Sequence, residues 1–453
     1  MTIRSIAERW QRDESLHFRL LKGLAAGLAL VYVVGVLWTS ASRTSLVRGD
    51  ARAYFAYLPS LVLDQDIDLR NQFAVLRPEG VTDYPFGVGR HNLAQNPFPI
   101  APAILWLPGY LFGLGIDAVL YDARSPGRPI GYGVGASLGA AVWSILLVGL
   151  GAELTRRLAR QLVDAPAAFA ATIMAWLGTP ALYYTVISPL YSHAPAWVAV
   201  SFMLWLTWRA TQDPDRVRPW LWSGLAAGWV VAVRLQDASL LVVPVALLTM
   251  TLLTSNSMSR LLGCSVAWVV GAAVGYLVQG LTWYWLHGEW VPFGGASAMS
   301  KPTLTDLVGI LFSFGHRGWI SWTPIVLAGL VGLGLLALRG DRAATRQFGW
   351  AAIAGVVGIL LMDLAHPFGG GAAGAAFGGR RYVSATPLVA LGLAALLGPQ
   401  AGPRARSLSW ILVPALTIWN LGLLLSYELL VIRHGIYPTL LQTVRYALGL
   451  GVS

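Results

Sequence analysis

The sequence predicts an all-α fold, a polytopic bundle of about eleven membrane-spanning helices. Three observations carry that expectation. Of the 453 residues, 56% are hydrophobic and only 12% charged, with a mean hydropathy of +0.61; a water-soluble domain of this size has nowhere to hide so much apolar surface. Apolar runs of bilayer-crossing length recur along almost the whole chain. Between them lie short connections rich in arginine, which is the pattern of cytoplasmic loops.

The first run, 20–39, is preceded by Arg4, Arg9, Arg12, Arg19 and Lys22, so the N-terminus is expected inside. Ser40, Ala41 and Ser42 imitate a cleavage site, but the run before them is long enough to be a first spanning helix rather than a signal core. Further spans are expected near 131–151, 166–180, 190–208, 220–236, 238–255, 261–286, 319–338, 347–363, 384–398 and 408–428. The charged connections 153–164, 209–218, 339–346 and 404–406 fall on the inner side. Segments 40–130, 181–190, 287–318 and 364–383 then share the outer face.

The apolar stretch 100–120 breaks this alternation if it spans, because the N-terminus would be forced outside despite its basic residues. Pro97, Pro99 and Pro102 crowd its start, and Pro108-Gly109 interrupts it. It is expected to lie along the outer interface as a juxtamembrane helix, with the C-terminus of the chain outside. The tail 431–453 reads as an interfacial helix or a short last segment. No soluble linker and no internal repeat is evident, which weighs against transporter folds built from duplicated halves.

The net charge of +11 fits basic inner loops and points to no nucleic acid, since no basic cluster lies in a soluble domain. The single cysteine, Cys264, can form no internal disulfide. The 20 tryptophans are expected mostly as interfacial anchors or packing residues.

Candidate chemistry gathers on the outer face. Asp50 lies where the chain leaves the first helix, ahead of a stretch with helical periodicity (Tyr54, Tyr57, Leu58, Leu61). A carboxylate there is placed to take a proton from an acceptor hydroxyl, or to serve as the N-cap of helix 51–63. Ser313 to Trp319 sets His316 and Arg317 among glycines. The Gly-rich loop 369–379 ends in Arg380-Arg381 at a helix start. Glycine-freed amides and guanidinium groups suit a phosphate or pyrophosphate; contact with lipid headgroups is the other reading of these arginines. Asp64, Asp66 and Asp68 alternate like a calcium loop, but the glycine and bidentate glutamate that such a loop requires are missing, so they read as a solvated turn. Asp83 is a second candidate acid.

Three segments in order carry a resemblance. Arg48-Gly49-Asp50 opening an Arg/Tyr-rich amphipathic helix is one. Asn96-Pro97-Phe98-Pro99-Ile100-Ala101-Pro102, followed by Leu105 to Pro108, is the second. Gly224-Leu225-Ala226-Ala227-Gly228 followed by Arg234 is the third. Together they resemble the polyprenol-dependent glycosyltransferases of the C superfamily, which include protein O-mannosyltransferases and the lipid A aminoarabinose transferase. The resemblance covers most of the chain through about residue 250. It implies a catalytic module over 1–255, containing the external loop 40–130, and a variable transmembrane module over 256–453. It implies Asp50 as catalytic base and Arg234 as a phosphate ligand, although a salt bridge from Arg234 to Asp237 is an equal reading of the spacing. Asn96 enters through the second motif as a substrate-binding residue.

The pattern departs from the family at Ser188-Pro189-Leu190-Tyr191-Ser192-His193, where many members carry an acid. His193 is expected to substitute as a donor to phosphate or acceptor, and a metal site built from acidic pairs becomes doubtful; a divalent metal is possible but not required. The implied partners are a polyprenyl-phosphate-linked sugar donor, a lipid-linked, glycan or protein acceptor, and membrane lipids. The implied place is a bacterial inner (plasma) membrane with the site on its outer, periplasmic side. A lipid or small-molecule transporter or flippase, and an inactive glycosyltransferase-like protein, are the alternatives.

Overall fold

The computed structural model describes residues 14–39, 46–76, 87–120, 130–253, 258–291, 303–314, 317–365 and 377–428. Among these residues the fold is all-helical, with one isolated antiparallel bridge, Val88 to Ala94, and no strand. Asp83, Lys301, His316, most of the Gly-rich loop and the tail from 429 lie outside the described residues.

A helix covers each of the eleven stretches expected as spans. In chain order, α1 is Glu14–Thr39, α2 Ala51–Phe55 and α3 Tyr57–Pro59, the last followed by a π-turn to Asp64. Then come α4 (Arg70–Leu76), α5 (Ala101–Leu120), α6 (Val134–Leu162), α7 (Ala165–Leu177), α8 (Ala181–Val186), α9 (His193–Gln212), α10 (Val217–Val233) and α11 (Val242–Leu253). The second half contains α12 (Met258–His287), α13 (Leu304–Phe312), α14 (Trp319–Trp322), α15 (Ile325–Arg339), α16 (Ala343–Leu364), α17 (Thr386–Leu397) and α18 (Pro403–Glu428).

Among the described residues six helices are long and apolar enough to cross a membrane: Glu14–Leu37, Ala101–Val119, Val134–Leu162, Leu262–His287, Ala343–Leu364 and Pro403–Glu428. They mark the chain as a membrane protein. Length and composition alone therefore fall short of the expected count of about eleven. The shortfall has local causes. Arg234 is extended (φ −157°), and the chain then runs as 3-10 helix over Leu235–Leu241 before α11. Thr323-Pro324 separates α14 from α15. A 3-10 turn over Arg380–Ala385, with Pro387 behind it, delays α17. Proline removes a donor and resists the preceding helical residue, which accounts for the break at Pro324 and the late start of α17 before Pro387.

Helix α5 departs from expectation in one respect and is informative in another. It runs unbroken through Pro108; in an apolar helix packed on a neighbour, one freed carbonyl is tolerated. It pairs antiparallel with α6. A Cβ on Gly109 would meet the Gly139 carbonyl at 2.3 Å, and one on Gly113 that of Gly135 at 2.0 Å, while Asp117 accepts from the backbone of Gly135 and Ala136 at 2.8 Å. All these approaches fall on the first ten residues of α6. The second half of α6 instead meets α1, where Arg160 pairs with Glu14 at 3.5 Å.

The charged residues sort to two ends. At one, Arg160–Glu14, Arg406–Asp164 (2.9 Å) and the Gln400 bond to the Leu162 carbonyl tie the starts of α1, α7 and α18 to the end of α6. Asp50, Arg234, Asp363 and Arg380 lie at the other, where α1, α10 and α16 finish. Between the two ends the core is apolar and alanine-rich, including Ala167, Ala171, Ala175, Ala394 and Ala395. Small residues let backbones approach where lipid leaves no hydrophobic drive between helices.

Candidate functional site

Asp50 opens α2, but its side chain makes no cap bond. It pairs instead with Arg380, Nη1 to Oδ2 at 3.2 Å, across 330 positions of sequence. The turn that aims Asp50 depends on Gly49. Its φ is +53°, and a Cβ there would fall 2.4 Å from the Tyr191 hydroxyl, so both backbone and space call for glycine. The pair is half-buried, with 28% of the Arg380 side chain and 38% of the Asp50 side chain exposed.

Around the pair stand residues from the connection between α8 and α9. The Tyr54 hydroxyl donates to Ser192 Oγ at 2.8 Å. Tyr191 lies against the turn at Gly49, and its ring stacks with that of His193 at 6.2 Å. His193 is buried and touches the Tyr184 ring at 4.4 Å; its Nδ1 has no hydrogen-bond partner among the described residues. Burial raises the Tyr54 hydroxyl far above its ordinary range, and burial with the adjacent Asp50 carboxylate raises Tyr191. Both phenols keep their protons at neutral pH.

Behind Arg380 a buried network fixes the turn that carries it. Arg234 donates to the Arg381 carbonyl at 2.9 Å, reaches Asp237 at 3.4 Å and contacts Gln236. Asp237 also accepts from Ser384 at 2.7 Å. Arg381 pairs with Asp363, which accepts the Tyr382 hydroxyl as well. The Arg234–Asp237 bridge is thus present, and Arg234, 7% exposed, holds the backbone of Arg381. Of the expected phosphate-binding arginines, Arg380 alone pairs with the acid.

Asn96 is fully buried and structural. Its amide donates to the Ala53 carbonyl at 2.9 Å, its oxygen accepts from the Phe98 amide at 3.1 Å, and its own carbonyl meets His287 at 3.0 Å. The substrate contact expected of it gives way to a brace between α2 and α12. Arg317, at φ +60°, lies 6.0 Å from the Tyr427 ring. A chain of rings, Tyr427, Tyr183 and Tyr184, runs from it to His193. Asp64 accepts from Asn71 at 2.8 Å and Asp68 from Arg70 at 2.9 Å, closing a local turn.

The sequence reading missed Tyr54, Tyr184, Tyr191 and Asp363 as parts of this site. A signal existed for Asp363, since a carboxylate at the end of an apolar helix calls for a cation at the same level, and Arg381 is one. The site draws on both sides of position 255, because Arg380 and Asp363 come from the second half. Among the described residues no three His, Cys, Asp or Glu side chains gather as a metal-ion cluster. Compared with known proteins, the chain matches no family model, no curated protein and no solved structure.

Proposed function

We propose that this chain is a membrane glycosyltransferase that moves a sugar from a polyprenyl-phosphate donor to an acceptor hydroxyl. The observation that carries the proposal is the meeting of Asp50 and Arg380 at 3.2 Å, half-exposed, with two protonated tyrosines beside them. The ordered motifs of the first 250 residues supply the donor class by resemblance.

Arg380 and Asp50 neutralise one another in the pair. A donor phosphodiester, singly charged like the carboxylate but able to accept from the guanidinium with two oxygens, takes over Arg380 and releases Asp50. The acceptor hydroxyl then gives its proton to Asp50 as its oxygen bonds to the anomeric carbon. The bond from that carbon to the phosphate oxygen breaks, and its electron pair leaves on the polyprenyl phosphate, where Arg380 stabilises the charge. In-line displacement inverts the anomeric centre. Arg234 and Arg381 hold the Arg380 turn, and His193 Nδ1 offers a further polar contact.

The topology that accompanies this proposal has about eleven spans, the N-terminus inside, α5 on the outer side, and the site on the periplasmic face of a bacterial plasma membrane. The pairing of α5 with only the first half of α6 supports it. A cysteine introduced at Ser125 in a Cys264→Ser background is expected to react with an impermeant maleimide from outside; labelling only from the cytoplasm overturns the topology. The function is tested in proteoliposomes supplied with defined polyprenyl-phosphate sugars. Release of polyprenyl phosphate coupled to glycosylation of an added acceptor is expected, with inverted anomeric configuration by NMR. Failure of every donor to turn over, or retained configuration, overturns the proposal.

A further inference from the structure

At the opposite end of the bundle, where the end of α6 meets the starts of α1 and α7, lies a charged cleft of about 340 Å³. Its walls include Glu14, Phe18, Glu153, Arg156, Arg157 and Trp205. Arg160 lines it too, so three guanidinium groups face two carboxylates and leave one positive charge in excess. Lys22, one turn further along α1, sits over the Phe18 ring at 4.7 Å.

The interior of this cleft is built rather than incidental. Glu153, almost fully buried, accepts from Arg156 Nε at 2.8 Å, from Arg156 Nη2 at 2.9 Å and from Arg157 Nε at 2.6 Å. Both of its oxygens are occupied. Arg156 is only 2% exposed, yet its Nη1 has no hydrogen-bond partner among the described residues. A buried guanidinium nitrogen without an acceptor is costly, and such groups ordinarily meet a protein, water or ligand oxygen. Arg157 and Arg160 are about half-exposed at the rim, with 50% and 40% of their side chains accessible.

The outer surface on the bundle side of the cleft is apolar. Leu20 on α1, Leu146 and Leu150 on α6 and Phe202 on α9 are all exposed. Each lies one to two helical turns from a cleft residue of its own helix, toward the middle of the bundle. Cations at a helix end above an exposed hydrocarbon face are the arrangement that receives an anionic headgroup with acyl chains beneath it.

We infer that this cleft is a phosphate-binding site, with Arg156 Nη1 as its deep donor and Arg157 and Arg160 as its rim. The ligand chemistry is a phosphate group of net negative charge, which either an anionic phospholipid headgroup or free phosphate supplies. The site is remote from Asp50 and independent of the transferase proposal.

Isothermal titration of the full chain in maltoside micelles, at fixed ionic strength, tests this with three probes: dihexanoyl phosphatidylglycerol, dihexanoyl phosphatidylcholine and inorganic phosphate. Saturable binding of phosphatidylglycerol, with none of phosphate, is expected if the headgroup and its chains are read together. Binding of both supports the site with phosphate alone as the determinant. The double variant Arg157→Gln/Arg160→Gln changes only half-exposed side chains, and it should weaken either interaction at least tenfold while the thermal midpoint holds. Arg156→Gln probes the deep donor as a second variant. Equal binding of phosphatidylcholine and phosphatidylglycerol, no binding of any probe, or unchanged affinity in the folded double variant overturns the inference.

Discussion

Two acid–arginine pairs mark the two ends of this bundle, and they are built differently. Glu153 and Arg156 are three residues apart on one helix and almost wholly buried, with side chains 4% and 2% exposed. Asp50 and Arg380 come from segments 330 positions apart and remain 38% and 28% exposed. Helical periodicity alone places the first pair on a common face, and its burial makes each partner necessary to the other. The second pair is assembled by the tertiary fold and stays accessible, so a ligand is able to replace either partner. One pair is fixed within its own helix, the other is suited to exchanging partners.

That contrast is open to experiment, and the largest effect is expected at the remote pair. Asp50→Asn should lower transfer by about 10² to 10⁴, the usual worth of a positioned general base, with the protein still folded by size-exclusion profile. A loss under tenfold in the reconstituted assay removes Asp50 from that role. Glu153→Gln should act the other way round. It leaves the Arg156 charge buried beside a neutral amide and should cost about 3 kcal/mol of stability, read as a lower thermal midpoint in detergent. If Asp50→Asn destabilises the chain as much as Glu153→Gln does, the distinction between the pairs fails.

Smaller changes sharpen the remote site. Gly49→Ala places a methyl against Tyr191 at a positive φ and should cost about 2 kcal/mol, with transfer falling as Asp50 is re-aimed; unchanged stability and turnover argue that the turn is loose. Ser384→Ala withdraws a donor from buried Asp237 and should cost about 1 kcal/mol by the same melting measurement. The smallest effect belongs to the surface pair Arg216–Asp213, whose side chains are 76% and 49% exposed. Asp213→Ala should stay within about 0.5 kcal/mol of the parent; a larger loss there shows that exposure does not rank these pairs.

The sequence made the helices legible because apolar length is a local property, visible in any window. It made Asp50, Arg380 and Arg381 legible as outer-face charges for the same reason. Which of them meet was not legible. Arg234 and Arg380 look equivalent as basic residues beside glycine-containing segments, but Arg234 lies at the extended end of α10, where Asp237 and the Arg381 carbonyl claim it. Asp50 reads as an N-cap from its position, yet its αR backbone (φ −57°, ψ −25°) turns the side chain away from the helix amides toward Arg380. Tyr54 and Tyr191 read as an apolar stripe and a loop residue, and only folding brings them to the acid. Asn96 carries a motif signal, but three backbone contacts consume it. Each miss is a long-range pairing that no spacing encodes.

The seam between α10 and α12 has a consequence for how the outer end behaves. These two helices run parallel, and a Cβ on Gly271 or Gly275 would strike the carbonyl of Leu221 or Leu225 at 2.3 Å or 2.1 Å. Backbone rests on backbone, leaving no side-chain layer in which one helix might slide past the other. Arg234 at the tip of α10 and Gln279 on α12, whose amide oxygen takes the Ile100 N–H at 2.8 Å, therefore travel as one piece. A tilt of α10 would pass through this post to the foot of α5 and carry that helix with it.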